Sequence, residues 1–123
     1  MPKKKILIVE DNDANRLLIT DVMKYYGYAI IEALNGEEGV RAAREQRPDL
    51  IFMDMQMPVM DGFTATRILK NDPATRDIKI VALTSFAMAG DKETILAAGA
   101  DEYIAKPVNT RELPGAVKKL LGE

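Results

Sequence analysis

The stretch Lys5-Ile6-Leu7-Ile8-Val9-Glu10-Asp11-Asn12-Asp13 sets the pattern for the whole chain. The unbroken apolar run Ile6–Val9 fits a strand buried on both faces, because such a strand has no solvent side to alternate with. The run stops on an acidic pair. Asn12 or Asp13 then stands where a helix N-cap belongs, ahead of a helix predicted over Ala14–Tyr25. That segment carries apolar residues at helical spacing through Leu17, Leu18, Val22 and Tyr25, and Gly27 follows in the position that ends helices. A short buried strand, a polar turn and an amphipathic helix make one βα unit.

Outward from this stretch the same unit recurs. Strands are predicted at Lys5–Glu10, Ala29–Ala33, Leu50–Met53, Ile80–Leu83 and Glu102–Ile104. The helices between and after them are predicted at Ala14–Tyr25, Gly36–Gln46, Gly62–Asn71, Ala87–Ala98 and Thr110–Leu121. The second is entered at Asn35-Gly36 and stops before Pro48, and the last is entered near Asn109. Five alternating units imply an α/β fold: a doubly wound, five-stranded parallel sheet with helices on both faces. No linker or repeat interrupts residues 1–123, so one domain is expected. The sequence ends at Glu123 just after the fifth helix, so no output domain is expected.

Composition narrows the function. The 123 residues are 47% hydrophobic and 29% charged, enough apolar content for a real core. The formal net charge is −2, which argues against a nucleic-acid-coating protein. The run Lys3-Lys4-Lys5 reads as a solvated start to the first strand. There is no cysteine and no histidine, which excludes disulfides, Cys/His zinc sites and Ser-His-Asp or Cys-His catalysis. No apolar run approaches the length of a membrane span, and a cytoplasmic location is expected.

In open α/β sheets, ligands bind beyond the carboxyl ends of the strands. The first apolar run is followed by Glu10 and Asp11, the third by Asp54, the fourth by Thr84 and the fifth by Lys106. If the first and third strands are neighbours, three carboxylates meet in one pocket, faced by a hydroxyl and an ammonium. Carboxylates that close raise one another's pKa, and a hard divalent cation such as Mg²⁺ relieves the repulsion. A carboxylate can also attack phosphorus to give an acyl phosphate. Mg²⁺, Lys106 and the Thr84 hydroxyl would then hold the phosphoryl oxygens. Each residue alone also reads blandly: Asp54 as a turn former, Thr84 as a strand end, Lys106 as a solvated lysine. Their ordered recurrence after successive runs is what points to phosphoryl chemistry.

These residues resemble the bacterial two-component response-regulator receiver family along the whole chain. The matching stretches are Ile6–Asn12, Pro48–Gly62, Ile80–Thr84 and Gly99–Pro107, and Phe86–Asp91 is similar to stand-alone receivers of the cell-cycle type and to receivers fused to hybrid kinases. The resemblance implies a flavodoxin-like sheet of order 2-1-3-4-5. It implies Asp54 as phosphoacceptor, with Mg²⁺ held by Glu10, Asp11, Asp54 and the backbone carbonyl of Gln56. Lys106 would pair with the phosphoryl group, and Lys106-Pro107 would be a cis peptide. Thr84 and Tyr103 would be the switch pair, although a tyrosine on an edge strand also packs and wets its hydroxyl without any such role. Gln56 and Phe86 would tune the chemistry. A histidine kinase or histidine phosphotransfer protein would donate the phosphoryl group. A target protein would dock on the face of the fourth helix, fifth strand and fifth helix. No nucleic-acid or membrane partner is implied, and the chain would be a monomer or a weak phosphorylation-dependent dimer. It would be a signalling module rather than an enzyme, catalysing only its own phosphorylation and dephosphorylation.

Two other classes share features with this chain. Asp11-Asn12-Asp13 has the Asp-x-Asp form of a haloacid-dehalogenase-like phosphatase, though Glu10 intervenes after the strand and no cap domain is evident. A flavin or dinucleotide module would need a Gly-rich phosphate loop after the first strand, and there is none. Two residues sit awkwardly: Gly90 early in the fourth helix, and Pro114 in the fifth. Either that last helix starts later than Thr110 or its first turn is distorted.

Overall fold

The computed structural model describes residues 3–85 and 89–123. The elements run β1 (Lys5–Val9), α1 (Asp13–Tyr25), β2 (Ala29–Ala33), α2 (Gly36–Gln46), β3 (Leu50–Asp54), α3 (Gly62–Lys70), β4 (Lys79–Thr84), α4 (Ala89–Ala97), β5 (Glu102–Ala105) and α5 (Glu112–Leu121). All neighbouring strands are parallel, in the order β2-β1-β3-β4-β5. The doubly wound fold and the order expected from the resemblance are both present.

Alternation along the central strands divides the core into two layers. Leu7, Val9, Ile51, Met53, Ile80 and Ala82 face α2, α3 and α4, where Val40, Ala43, Ala65, Leu69 and Ile95 cover them. Ile6, Ile8, Leu50, Phe52, Val81 and Leu83 face α1 and α5, where Ile19, Met23, Leu113 and Val117 cover them. With both faces covered, β3 is buried at every position.

The first three helices start the same way. The side chains of Asn12, Asn35 and Asp61 accept hydrogen bonds from the backbone N–H groups of Asn15, Glu38 and Thr64. Gly27, at φ 90°, turns the chain out of α1. The fifth helix begins at Glu112 rather than Thr110. Asn109 closes a turn before it, its side chain accepting from Arg111 N–H and its carbonyl from Glu112 N–H. Pro114 therefore lies in the first helical turn, where its missing N–H leaves no bond unmade. Gly90 lies inside α4, and Ala87 and Met88 of the predicted helix are outside the described residues.

Of the apolar period read along α1, only Val22 packs against the core. Ile19, Thr20 and Met23 are buried, whereas Leu17 and Leu18 are 59% and 40% exposed and Tyr25 is 83% exposed. Apolar residues occur nearly all round this helix, so spacing alone cannot say which of them meets the sheet.

Candidate functional site

The register of the strands brings the candidate residues together. Val9 pairs with Met53, so Glu10 lies level with Asp54, and Asp54 in turn pairs with Leu83. Thr84 pairs with Ala105, and Lys106 N–H donates to the Thr84 carbonyl at 2.7 Å. The pleat fixes which side each residue serves. Glu10, Asp54 and Lys106 each follow by two a residue of the layer under α1 and α5: Ile8, Phe52 and Ile104. Thr84 follows Ala82, on the opposite layer, and Tyr103 packs against that same layer.

A close approach of backbone fixes the rim. A Cβ at Gly62 would fall 2.2 Å from the carbonyl oxygen of Asp54, so only glycine lets α3 start this close to the end of β3. The loop between them carries Val59 at φ 69°, a left-handed conformation rare for a β-branched residue.

Carboxylate oxygens of Glu10, Asp11 and Asp54 all lie within 4.8 Å of one another. Glu10 and Asp54 are buried and Asp11 is exposed at the mouth. Lys106 Nζ stands 2.9 Å from Asp54 Oδ1 and 3.2 Å from Glu10 Oε2. Both are ion-pair distances, so the ammonium bridges the two carboxylates. Backbone N–H of Gln56 donates to Asp54 Oδ1, and that of Asn12 to Glu10 Oε1. Asp54 Oδ2 and Glu10 Oε2 remain buried without a hydrogen-bond donor among the described residues. Buried carboxylate oxygens are ordinarily satisfied, so such a pair calls for a cation or donor of another kind.

The charges bear this out. Burial, and after it repulsion from Asp54, pushes the Glu10 carboxyl up to about 7, despite the attraction of Lys106 and the Asn12 N–H. Burial works against the charge on Lys106, but the hydrogen bond to Asp54 and the attraction of Glu10 and Asp54 outweigh it and raise its pKa. With one ammonium facing three carboxylates, the pocket is short of positive charge. The all-oxygen donor set and the Asp54 Oδ2 left without a donor among the described residues fit a hard divalent cation.

Of the remaining predicted residues, Gln56 follows Asp54 at the end of β3. The Gln56 side chain accepts a long hydrogen bond from Ser85 N–H at 3.4 Å, which ties the end of β3 to the turn after β4. Its Nε2 is buried without a partner among the described residues. Tyr103 is half-buried, with Lys92 Nζ 5.4 Å above its ring. The Lys106–Pro107 peptide is cis. Phe86 lies outside the described residues. Asp13 does not join the cluster: its carboxylate is 91% exposed and paired with Arg16.

Sequence reasoning missed Arg16. Its guanidinium donates to the Glu10 carbonyl at 2.9 Å and also holds Asp13. The signal was available, since a residue in the second turn of α1 can reach back to the strand end that precedes the helix.

Comparison with known proteins agrees with this geometry. Residues 6–118 match the family described as response regulator receiver domain. The polar-differentiation response regulator DivK of Brucella anthropi is 43% identical over 123 residues, covering 100% of this chain and 99% of the relative. The receiver domain of sensor histidine kinase PA1611 from Pseudomonas aeruginosa, solved with a magnesium ion in its active-site cleft, superposes with a TM-score of 0.91. It is 38% identical, with 99% of this chain and 100% of that one covered. The receiver domain of Ssk1 from Saccharomyces cerevisiae, solved with the histidine phosphotransfer protein Ypd1, gives a TM-score of 0.89 at 31% identity, covering 97% of this chain and 89% of that one. The sheet order, the acidic pocket at its strand ends and these matches together place the chain in the response regulator receiver domain family, a signalling module of two-component phosphorelays.

Proposed function

We propose that Asp54 accepts a phosphoryl group and that the phosphorylated chain signals by changing what it binds. The observation that carries this is the environment of Asp54: a buried carboxylate with Oδ1 beside the Lys106 ammonium and the Gln56 N–H, and Oδ2 without a hydrogen-bond donor among the described residues. Oδ2 is the nucleophile in this reading. It forms the new P–O bond as the donor's phosphohistidine P–N bond breaks, and the released imidazole picks up a proton. Lys106 is already placed to neutralise a phosphoryl oxygen. Glu10, Asp11, Asp54 and the Gln56 carbonyl would hold Mg²⁺, which neutralises phosphoryl charge when bound. The chemistry of the chain is then confined to its own phosphorylation and dephosphorylation. The exclusion of Asp13 from the cluster weighs against a phosphatase of Asp-x-Asp type.

Thr84 and Tyr103 would carry the change outward. They share the sheet layer under α4, and Tyr103 lines an open groove of about 840 Å³ with Lys92, Lys106, Arg111 and Lys119. The groove runs from the phosphoryl-facing lysine along the α4–β5–α5 face, which supports that face as the docking surface for a target. For the donor, a histidine kinase or phosphotransfer protein, the exposed Leu17 and Leu18 offer an apolar surface on α1, the helix that follows Glu10 and Asp11. Gln56 and Phe86 would set the lifetime of the phosphorylated state. If Phe86 shields the phosphoryl group from water, phosphorylated Phe86→Ala decays faster than wild type.

The deciding experiment is incubation with MgCl₂ and acetyl phosphate, followed by intact-mass measurement of wild type and Asp54→Asn. The wild type gains one phosphoryl group and the variant none. Equal labelling of both would remove Asp54 from the role.

A further inference from the structure

Arg16 is a cation spent almost wholly inside the molecule. Its side chain is only 15% exposed, although it belongs to a surface helix. NH1 donates to the backbone carbonyl of Glu10 at 2.9 Å and NH2 to Asp13 Oδ1, while Nε lies 3.9 Å from Glu32 Oε2 on β2. Glu32 is itself held by the Thr20 hydroxyl at 2.9 Å. The guanidinium is thus braced on β2 and on α1 while it grips the residue between Val9 and Asp11.

That grip acts on the acidic pair. Glu10 has left the β1 ladder, and only its N–H still bonds across to Ala33. Its carbonyl is the acceptor that Arg16 takes. The Ala33 bond holds the peptide plane before the Glu10 Cα and the Arg16 bond holds the plane after it, the one joining Glu10 to Asp11. The directions in which the two carboxylates leave the backbone depend on these planes. Asn12 N–H then completes the arrangement on Glu10 Oε1. Arg16 also holds Asp13 outside the pocket, so a fourth carboxylate does not add to the repulsion there.

We infer that Arg16 is a positioning residue of the metal site: through the Glu10 carbonyl it orients the Glu10 and Asp11 carboxylates for a divalent cation. This rests on the proposed Mg²⁺ site. Outer residues that orient ligands typically contribute about 10–100-fold to metal affinity. A lysine can replace only one of the bonds, since it lacks the planar fork that reaches the Glu10 carbonyl and Asp13 together.

The test is calorimetric titration of the whole chain with MgCl₂, alongside melting in EDTA, for wild type, Arg16→Met, Arg16→Lys and Asp13→Asn. Arg16→Met binds Mg²⁺ about tenfold or more weakly. Arg16→Lys falls between it and wild type, and Asp13→Asn binds as wild type does. At saturating Mg²⁺ the acetyl phosphate labelling rate of Arg16→Lys returns towards the wild-type value, because the residue orients ligands and touches no reacting atom. Variants that melt earlier in EDTA yet bind Mg²⁺ with wild-type affinity would make Arg16 a fold-stabilising residue only and overturn the inference. If Arg16→Met does not fold, Arg16→Lys with unchanged affinity overturns it equally. A wild type that binds no Mg²⁺ would instead refute the metal site itself, and the inference with it.

Discussion

Lys106 Nζ lies 2.9 Å from Asp54 Oδ1 and 3.2 Å from Glu10 Oε2, so one ammonium serves two buried carboxylates. Removing it strands both. Lys106→Met is expected to lose about 2–3 kcal/mol of stability in EDTA, the range for charge-assisted contacts of partly buried groups. Mg²⁺ should restore part of that loss, because it neutralises the same oxygens. Urea denaturation in EDTA and in MgCl₂ measures both effects. A variant as stable as wild type in EDTA would show that the two carboxylates do not depend on this ammonium.

The metal should stabilise the folded chain in its own right. At a Mg²⁺ concentration about 100 times its dissociation constant, linkage adds about 2.7 kcal/mol. For a domain of this size that corresponds to on the order of 10 °C in melting temperature. The shift should shrink sharply in Asp11→Asn, because Asp11 is the exposed member of the three-carboxylate cluster. Identical melts with EDTA and MgCl₂ would count against the cation.

Val59 holds φ 69° with its side chain 77% exposed, so it carries left-handed backbone strain and buries little in return. Val59→Asn should stabilise the protein by about 1 kcal/mol, since asparagine tolerates this conformation. Chemical denaturation reads the change. A destabilised variant would mean that the valine side chain holds the loop.

Gly62 lies under the opposite constraint. A methyl group there would sit 2.2 Å from the Asp54 carbonyl and 2.8 Å from Met55 Cα, both backbone atoms that cannot swing away. Gly62→Ala should lose about 1–3 kcal/mol, as overpacked sites do. Its labelling by acetyl phosphate should slow as well, because the strand end bearing Asp54 must move. Normal labelling at reduced stability would separate the two consequences.

A pH test is available on the α4–β5–α5 face. Burial disfavours the charge on Glu102, but the hydrogen bonds from Lys119 and Tyr103 N–H, with the charges of Lys119 and Lys92, outweigh it and hold the carboxyl below its usual value. A depressed folded pKa stabilises above the unfolded value and ceases to do so as pH falls through the folded one. Glu102→Gln should therefore lose under about 1 kcal/mol at pH 7, the pair being largely solvated. The gap from wild type should close as pH drops below about 4.5. Urea midpoints across that range decide it, and a gap that persists in acid would exclude an ionic origin.

Much of this was legible in the residues. The buried strands announced themselves as unbroken apolar runs, and the carboxylates and the lysine stood at their ends in chain order. Boundaries were less legible. Asp54 and Thr84 are the last residues of β3 and β4 rather than the first beyond them. The start of α5 was hidden because Asn109, read as the entry to the helix, closes a turn ahead of it.

The sequence by itself determined the alternation of elements, the acidic pair, and the order in which Asp54, Thr84 and Lys106 follow their runs. Those are properties of local pattern, since side-chain period and strand-end chemistry are written in adjacent residues. Only the tertiary structure decided which side of α1 meets the sheet. Its apolar residues surround the helix, and contact with Ile8 and Phe52 in the layer beneath, not spacing, buries Ile19 and Met23. Tertiary structure also decided that Arg16 reaches Glu10, because that hydrogen bond depends on the angle at which α1 leaves β1 and on the brace from Glu32 across the sheet.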